Sequence, residues 1–70
     1  MHTVFKELID AQEKVIFKTA RRIVGHVTAD DLLQPNDFPE LELNPYFRYE
    51  EGVLAGIRTA YAAFCAQERA

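Results

Sequence analysis

An asparagine–proline pair at positions 44 and 45 begins a segment in which no further proline occurs. Asparagine is a favoured N-cap residue, and proline is favoured at the first position of a helix. Up to about residue 68, the only residues of this segment that break helices are Gly52 and Gly56. The pattern therefore predicts a helix over 45–68, which at about 1.5 Å per residue is roughly 36 Å long.

A second long helix is predicted over about residues 3–25. Its apolar and small side chains share one face of the helical wheel, and the charged side chains lie opposite. That face carries Phe5, Leu8, Ile9, Gln12, Ile16, Thr19, Ala20 and Ile23. We expect Thr3 to be the N-cap and Gly25 to end the helix in the left-handed conformation. Because the two predicted helices have similar lengths and are joined by a connector, we predict an antiparallel helical hairpin and an all-α fold.

Residues 28–44 form an acidic, proline-containing connector between the two helices. The Thr28 side chain is placed to accept a hydrogen bond from the amide of Asp31, which predicts a short connecting helix over about 29–34. Pro35 would end this helix.

The rest of the connector is predicted to be a loop. Within it, we expect Phe38, Leu41 and Leu43 to pack onto the helices, because they would otherwise leave an exposed apolar patch. On this interpretation the connector caps the open end of the hairpin. The alternative is that it stays exposed and is a docking segment for a basic partner.

Size and composition limit the classes of protein to which the chain can belong. Seventy residues, of which 49% are apolar, with a formal net charge of −3, indicate one folded domain over 1–70. This is too short for a doubly wound sheet or a two-domain enzyme. The single cysteine, Cys65, has no partner for an intramolecular disulfide, and no secretion signal or membrane-spanning run is visible. We therefore expect a cytoplasmic protein without a cofactor.

The helix predicted over 45–68 has small residues where a charged face is expected. Bulky side chains, from Tyr46 and Phe47 to Phe64 and Cys65, occupy one side of its wheel. A helix that is apolar or small nearly all round is usually buried on two sides, and one partner helix covers only one of them. We therefore predict a homodimer that forms a four-helix bundle. Its candidate interface consists of Gly52, Gly56, Thr59, Ala60 and Ala63.

Basic residues are concentrated in the first helix. Residues 1–27 carry five basic and three acidic side chains, whereas residues 28–51 carry one basic and seven acidic ones. The candidate anion-binding residues are Lys14, Lys18, Arg21 and Arg22. They would bind phosphate on a nucleic acid or a membrane surface. The alternatives are a solvated face or docking of the acidic connector, which the low isoelectric point of about 5.2 favours.

Two polar residues stand in unusual positions. Glu50 falls among the bulky residues of its helix, where a buried carboxylate needs a partner. Thr19 and Arg22 are its candidate partners in an antiparallel hairpin, and hydration near the helix start or a functional acid are the alternatives. His26 lies close to Asp30 and Asp31, but the spacing is not that of a known metal motif.

These patterns favour a structural or protein-interaction module that acts through homo-oligomerisation. Anion binding through the basic residues of the first helix is the alternative function. We find no catalytic constellation, so we do not expect an enzyme. A different, heterologous protein partner is compatible with the same features.

Overall fold

A computed structural model, which describes residues 1–28, 30–33 and 38–69, shows an all-helical hairpin. Its elements are α1 (His2–Ile23), a 3₁₀ turn (Asp31–Leu33), the one-turn helix α2 (Pro39–Glu42) and α3 (Pro45–Arg69). The long helices α1 and α3 pack against each other over most of a molecule that measures 43 × 18 × 18 Å. The all-α prediction and the two long helices are confirmed.

Two predicted capping interactions are confirmed. The Oδ1 atom of Asn44 accepts hydrogen bonds from the amides of Tyr46 at 2.9 Å and Phe47 at 3.1 Å. At the start of the 3₁₀ turn, the Asp31 amide donates to Thr28 Oγ1 at 3.3 Å, and the Thr28 amide donates to Asp31 Oδ2 at 2.9 Å. Each cap satisfies amides that lack a partner within the helix.

The ends of α1 differ from their prediction. The helix begins at His2, so Thr3 lies inside its first turn and is not the N-cap. It ends at Ile23, because Val24 adopts an extended conformation with φ −125° and ψ 95°. No glycine in the described residues has a positive φ, so the left-handed conformation expected for Gly25 is wrong. The extended Val24 is itself buried, which indicates that core packing, and not a glycine cap, ends the helix.

The connector is more helical than predicted and packs only in part as predicted. Pro39–Glu42 forms a helical turn with proline at its first position, where a loop was expected. Leu41 is fully buried and Phe38 packs against the core, but Leu43 is 84% exposed, so its expected packing is wrong. Positions 29 and 34–37, which include Pro35 and both ends of the short connecting helix predicted over 29–34, lie outside the described residues.

The buried side chains are concentrated in the half of the hairpin next to the connector. They are Ile16, Thr19, Ala20, Val24, Val27, Leu41 and Phe47. In the terminal half of the described chain, residues 2–13 and 54–69, no side chain reaches this degree of burial. Leu8 and Tyr46 were both expected in the core, but they are 48% and 75% exposed. The core is therefore built at one end of an elongated molecule.

The N-cap of α3 provides a test of the fold. We expect Asn44→Ala to lower the free energy of unfolding by about 1 kcal/mol, because two amides of the first turn lose their acceptor. Urea unfolding followed by circular dichroism measures this change. Asn44→Asp is the matched control, since its side chain retains the acceptor and should keep the stability close to that of the original chain. Equal stability of the alanine variant would contradict the role of Asn44.

Candidate interaction surfaces

The small residues predicted as an oligomer interface all lie exposed on α3. They are Gly52, Gly56, Thr59, Ala60 and Ala63. A Cβ atom built on Gly52 or Gly56 would meet no atom within 4 Å, so neither glycine is required by packing inside the chain. The Thr59 hydroxyl donates to the carbonyl oxygen of Ala55 in its own helix at 2.9 Å. This leaves a smooth helix surface that the hairpin itself does not cover.

Sequence reasoning missed a set of exposed large apolar side chains. On α1, Val4, Leu8 and Val15 are exposed. With Ala11 they follow a spacing of four, three and four residues, which aligns side chains in one stripe along a helix. The corresponding stripe on α3 has the spacing three, four, three and four. It consists of Tyr46, Tyr49, Val53, Gly56 and Ala60, of which Val53 is partly buried and the others are exposed.

Both stripes lie on the same face of the hairpin. A cavity of about 340 Å³ lies between the helices near the connector, and Arg22 and Tyr46 both line it. Lys18 and Arg22 follow Val15 by three and seven residues and so continue the α1 stripe, with Lys18 at its border with the groove, while Tyr46 begins the α3 stripe. We call the surface formed by the two stripes the apolar face. It consists of Val4, Leu8, Ala11, Val15, Tyr46, Tyr49, Val53, Gly56 and Ala60.

The opposite face carries an open groove of about 740 Å³ with a charged rim. Ile16, Phe17, Phe47 and Leu54 are among its apolar lining residues. The charged lining residues are Asp10, Glu13, Lys14, Lys18, Glu51 and Arg58. Arg58 donates across the groove to Glu13 at 3.1 Å. Partial burial raises the pKa of the Glu51 carboxyl, while the nearby Arg48 lowers it and Glu42 raises it.

The four predicted anion-binding side chains do not form one patch. Lys14 and Lys18 line the charged groove, whereas Arg22 lines the cavity on the apolar face. The Arg21 guanidinium lies 5.7 Å from the centre of the Phe17 ring, which is a cation–π distance. Within the described part of the chain, no carboxylate lies within 4.0 Å of any of these four cations.

Glu50 is held by the first of its candidate partners. The Thr19 hydroxyl donates to Glu50 Oε1 at 2.6 Å, and the Gln12 side-chain amide donates to the Glu50 backbone carbonyl at 2.9 Å. Arg22 lines the same cavity but makes no ion pair with Glu50. The second carboxylate oxygen, Oε2, is buried and has no hydrogen-bond partner among the described residues. A buried acceptor without a partner costs stability, so Glu50 depends on the Thr19 hydroxyl.

An aromatic and histidine cluster joins the helices at the terminal end. His2 Nδ1 lies 2.8 Å from the Tyr61 hydroxyl, and His2 Nε2 lies 2.6 Å from Glu68 Oε1. With Nε2 protonated, His2 donates to Glu68 and accepts from Tyr61. Partial burial raises the pKa of the Tyr61 hydroxyl, with further contributions from Cys65 and Glu68.

This cluster was not predicted, although the sequence contained its signal. In an antiparallel hairpin, the numbers of two residues that face each other on the two helices add up to nearly the same value along the whole hairpin. The pairs Thr19–Glu50, Glu13–Arg58 and His2–Glu68 all follow a sum close to 70. Phe5 stacks on Tyr61 with ring centres 5.1 Å apart, which brings a further aromatic ring to the same end.

No metal or membrane feature emerges from the described residues. His26 is exposed, with its ring 5.9 Å from that of Phe38, and residues 1–28, 30–33 and 38–69 contain no group of three or more ligands able to hold a metal ion. In the same ranges, no helix has the length and apolar character needed to cross a membrane. Cys65 is a partly buried free thiol.

Comparisons with known proteins give no functional assignment. No family model matches the chain, and neither a curated protein nor a solved structure is significantly similar to it.

The pairing of Thr19 with Glu50 generates a double-variant prediction. Thr19→Val keeps the side-chain shape but removes the hydroxyl, so we expect it to lower the free energy of unfolding by about 1–3 kcal/mol. Adding Glu50→Met should recover most of this loss, because the buried carboxylate is removed together with its need for a donor. Urea unfolding of both single variants and the double variant measures the coupling. Strictly additive effects would contradict the proposed dependence of Glu50 on Thr19.

Proposed function

We propose that this chain is a small structural or protein-interaction module that works as a homodimer, through helix packing and not through chemistry. The observation that supports the proposal is the uneven burial of apolar side chains. The connector half contains all of the buried residues of the described chain, while large apolar side chains along both helices are exposed. A second copy would supply the missing half of the core.

The total surface area supports the same proposal. The chain has a solvent-accessible surface of 5208 Å². A folded monomer of 8.0 kDa is expected to expose about 4,500 Å². The excess of about 700 Å² is close to the area of roughly 800 Å² that each partner buries in a standard protein interface. Burial of this area would give the hairpin the compactness of an ordinary folded protein.

The hairpin has few other means of gaining stability. Small domains of this size usually rely on disulfides, a metal ion or oligomerisation. Cys65 is the only cysteine in the sequence, and it is a free thiol. A lone thiol suits the reducing cytoplasm, where we propose that the protein acts.

Light scattering tests the proposal on the chain as it stands. We expect a mass of two chains at micromolar concentration. The variant Gly56→Leu should dissociate the dimer, because the added side chain projects from the exposed small surface of α3. The same change should not unfold the hairpin, since leucine fits the open space and raises helix propensity by about 0.8 kcal/mol.

Ala62→Leu provides the matched control for this variant. Ala62 is exposed and follows the groove residue Ala55 by two helical turns, so it projects from the other side of α3. This control should remain dimeric. A stable monomer of the unaltered chain would contradict the proposed function, and a dimeric Gly56→Leu variant would exclude the small residues from the interface.

Anion binding is the second candidate function. The observation in its favour is that Lys14, Lys18, Arg21 and Arg22 are exposed and, in the part of the chain that the structure describes, have no carboxylate within ion-pair distance. Their charges are thus available to a phosphate group. Asp10, Glu13 and Glu51 in the same groove as Lys14 and Lys18 oppose this attraction, which is why homodimerisation is the preferred proposal.

Binding to single-stranded polynucleotide and to anionic vesicles at low salt tests this alternative. If it holds, the affinity should fall steeply as salt is added, because each phosphate contact releases counterions. Lys18→Glu should weaken binding, whereas Lys6→Glu, elsewhere on α1, should have little effect. The absence of binding at low salt would reject the alternative.

A further inference from the structure

We propose that the second copy binds the apolar face, and that the connectors of both copies lie at the same end of the dimer. In this arrangement α1 of each copy lies across α3 of the other. The inference rests on the proposed homodimer and specifies its surface and orientation. The proposed interface therefore includes residues of both helices, and not only the small residues of α3.

Complementary shape supports this arrangement. In the antiparallel hairpin, the numbers of two residues that face each other on α1 and α3 add up to about 70, as for Glu13 and Arg58. Leu8 therefore lies at the level of Ala60, and Val15 lies at the level of Gly56. The bulky stripe of α1 and the small part of the α3 stripe thus occupy the same levels of the hairpin. A two-fold axis parallel to the helices places each bulky stripe over the small stripe of the other copy.

Charge supports the same orientation. Between Tyr46 and Ala60, the α3 stripe contains no charged residue. Arg22, which continues the α1 stripe, lies at the level of Tyr46 and Tyr49 and would meet these rings in the other copy, where a cation is favourable. A dimer with its connectors at opposite ends would place Arg22 against Val4 and bury a cation on an apolar side chain. The orientation with both connectors at one end avoids this cost for Arg22, while Lys18 borders the charged groove.

The opposite face is a poor site for a second copy. Its groove is lined by six charged side chains, and Glu13 already pairs with Arg58 across it. Covering this groove would remove six charged side chains from water, which costs more than covering apolar side chains. The apolar face therefore accounts better for the excess exposed area of the chain.

Charged substitutions of exposed alanines test the surface. Ala11→Glu and Ala60→Glu place a carboxylate on the α1 and α3 stripes of the apolar face, and each should weaken dimerisation by about tenfold or more. Ala62→Glu is the matched control, because it makes the same change on the groove side of α3 and should leave the dimerisation constant unchanged. All three alanines are exposed in the hairpin, so the substitutions spare its core. Sedimentation measures the constant, and circular dichroism checks the helix content.

A distance measurement tests the orientation independently of any interface variant. Glu40 is exposed on α2, at the connector end. A spin label attached through Glu40→Cys, with Cys65→Ser to remove the native thiol, should report a distance of no more than about 30 Å, which is two to three helix diameters. Connectors at opposite ends would separate the labels by about the 43 Å length of the molecule.

The outcomes distinguish this inference from the proposed function. A monomeric unaltered chain overturns both proposals. A dimer that Ala11→Glu and Ala60→Glu leave intact overturns the apolar face as the interface, although the homodimer stands. A dimer that these variants weaken, but whose labels lie about 43 Å apart, overturns the orientation.

Discussion

The packing of Phe47 and Leu41 against α1 is the interaction on which the rest of the structure depends. Phe47 is 1% exposed and Leu41 is 0% exposed, and both join a cluster with Ile16, Ala20 and Val24. This cluster holds the connector, the end of α1 and the start of α3 together. This cluster occupies only one end of the hairpin. Beyond it, α1 and α3 contact only each other, each along one side. In the terminal half, Val4 and Leu8 stay exposed on the apolar face, and in the connector half Val15, Tyr46 and Tyr49 are exposed beside the core.

The two ends of the hairpin are therefore stabilised by different means. At the connector end, apolar burial is supported by the Asn44 cap and the reciprocal bonds of Thr28 and Asp31. At the terminal end, the contacts are the half-exposed His2–Glu68 pair and partly buried aromatic rings. Exposed side-chain pairs of this kind contribute little stability. A partner that covers the terminal half would supply what these contacts do not.

Local signals in the sequence predicted the two long helices and the caps at Asn44 and Thr28, because helix periodicity, Asn44–Pro45 and Thr28–Asp31 act over a few residues. The caps predicted at Thr3 and Gly25 were wrong. Other errors arose where tertiary packing determines the backbone conformation or the burial of a side chain. Val24 turns inward to the core, which no local pattern indicates. Leu8 and Tyr46 were assigned to the buried side because a wheel gives the direction of a side chain but not the width of the contact between two helices. The hydroxyl of Thr19 was identified as a candidate partner of Glu50, since the register alone brings them together.

The candidate interface likewise was predicted only as far as local sequence patterns allow. Composition identified the small residues of α3, but only exposure in the folded hairpin revealed the matching stripe of Val4, Leu8 and Val15 on α1. On this interpretation, the terminal half of the hairpin gains its core from a second copy. Amide hydrogen exchange at several protein concentrations tests this most directly. Protection of the amides from Ile57 to Phe64 should increase with concentration, with a smaller change near Phe47. Protection of this segment that is independent of concentration would contradict the account.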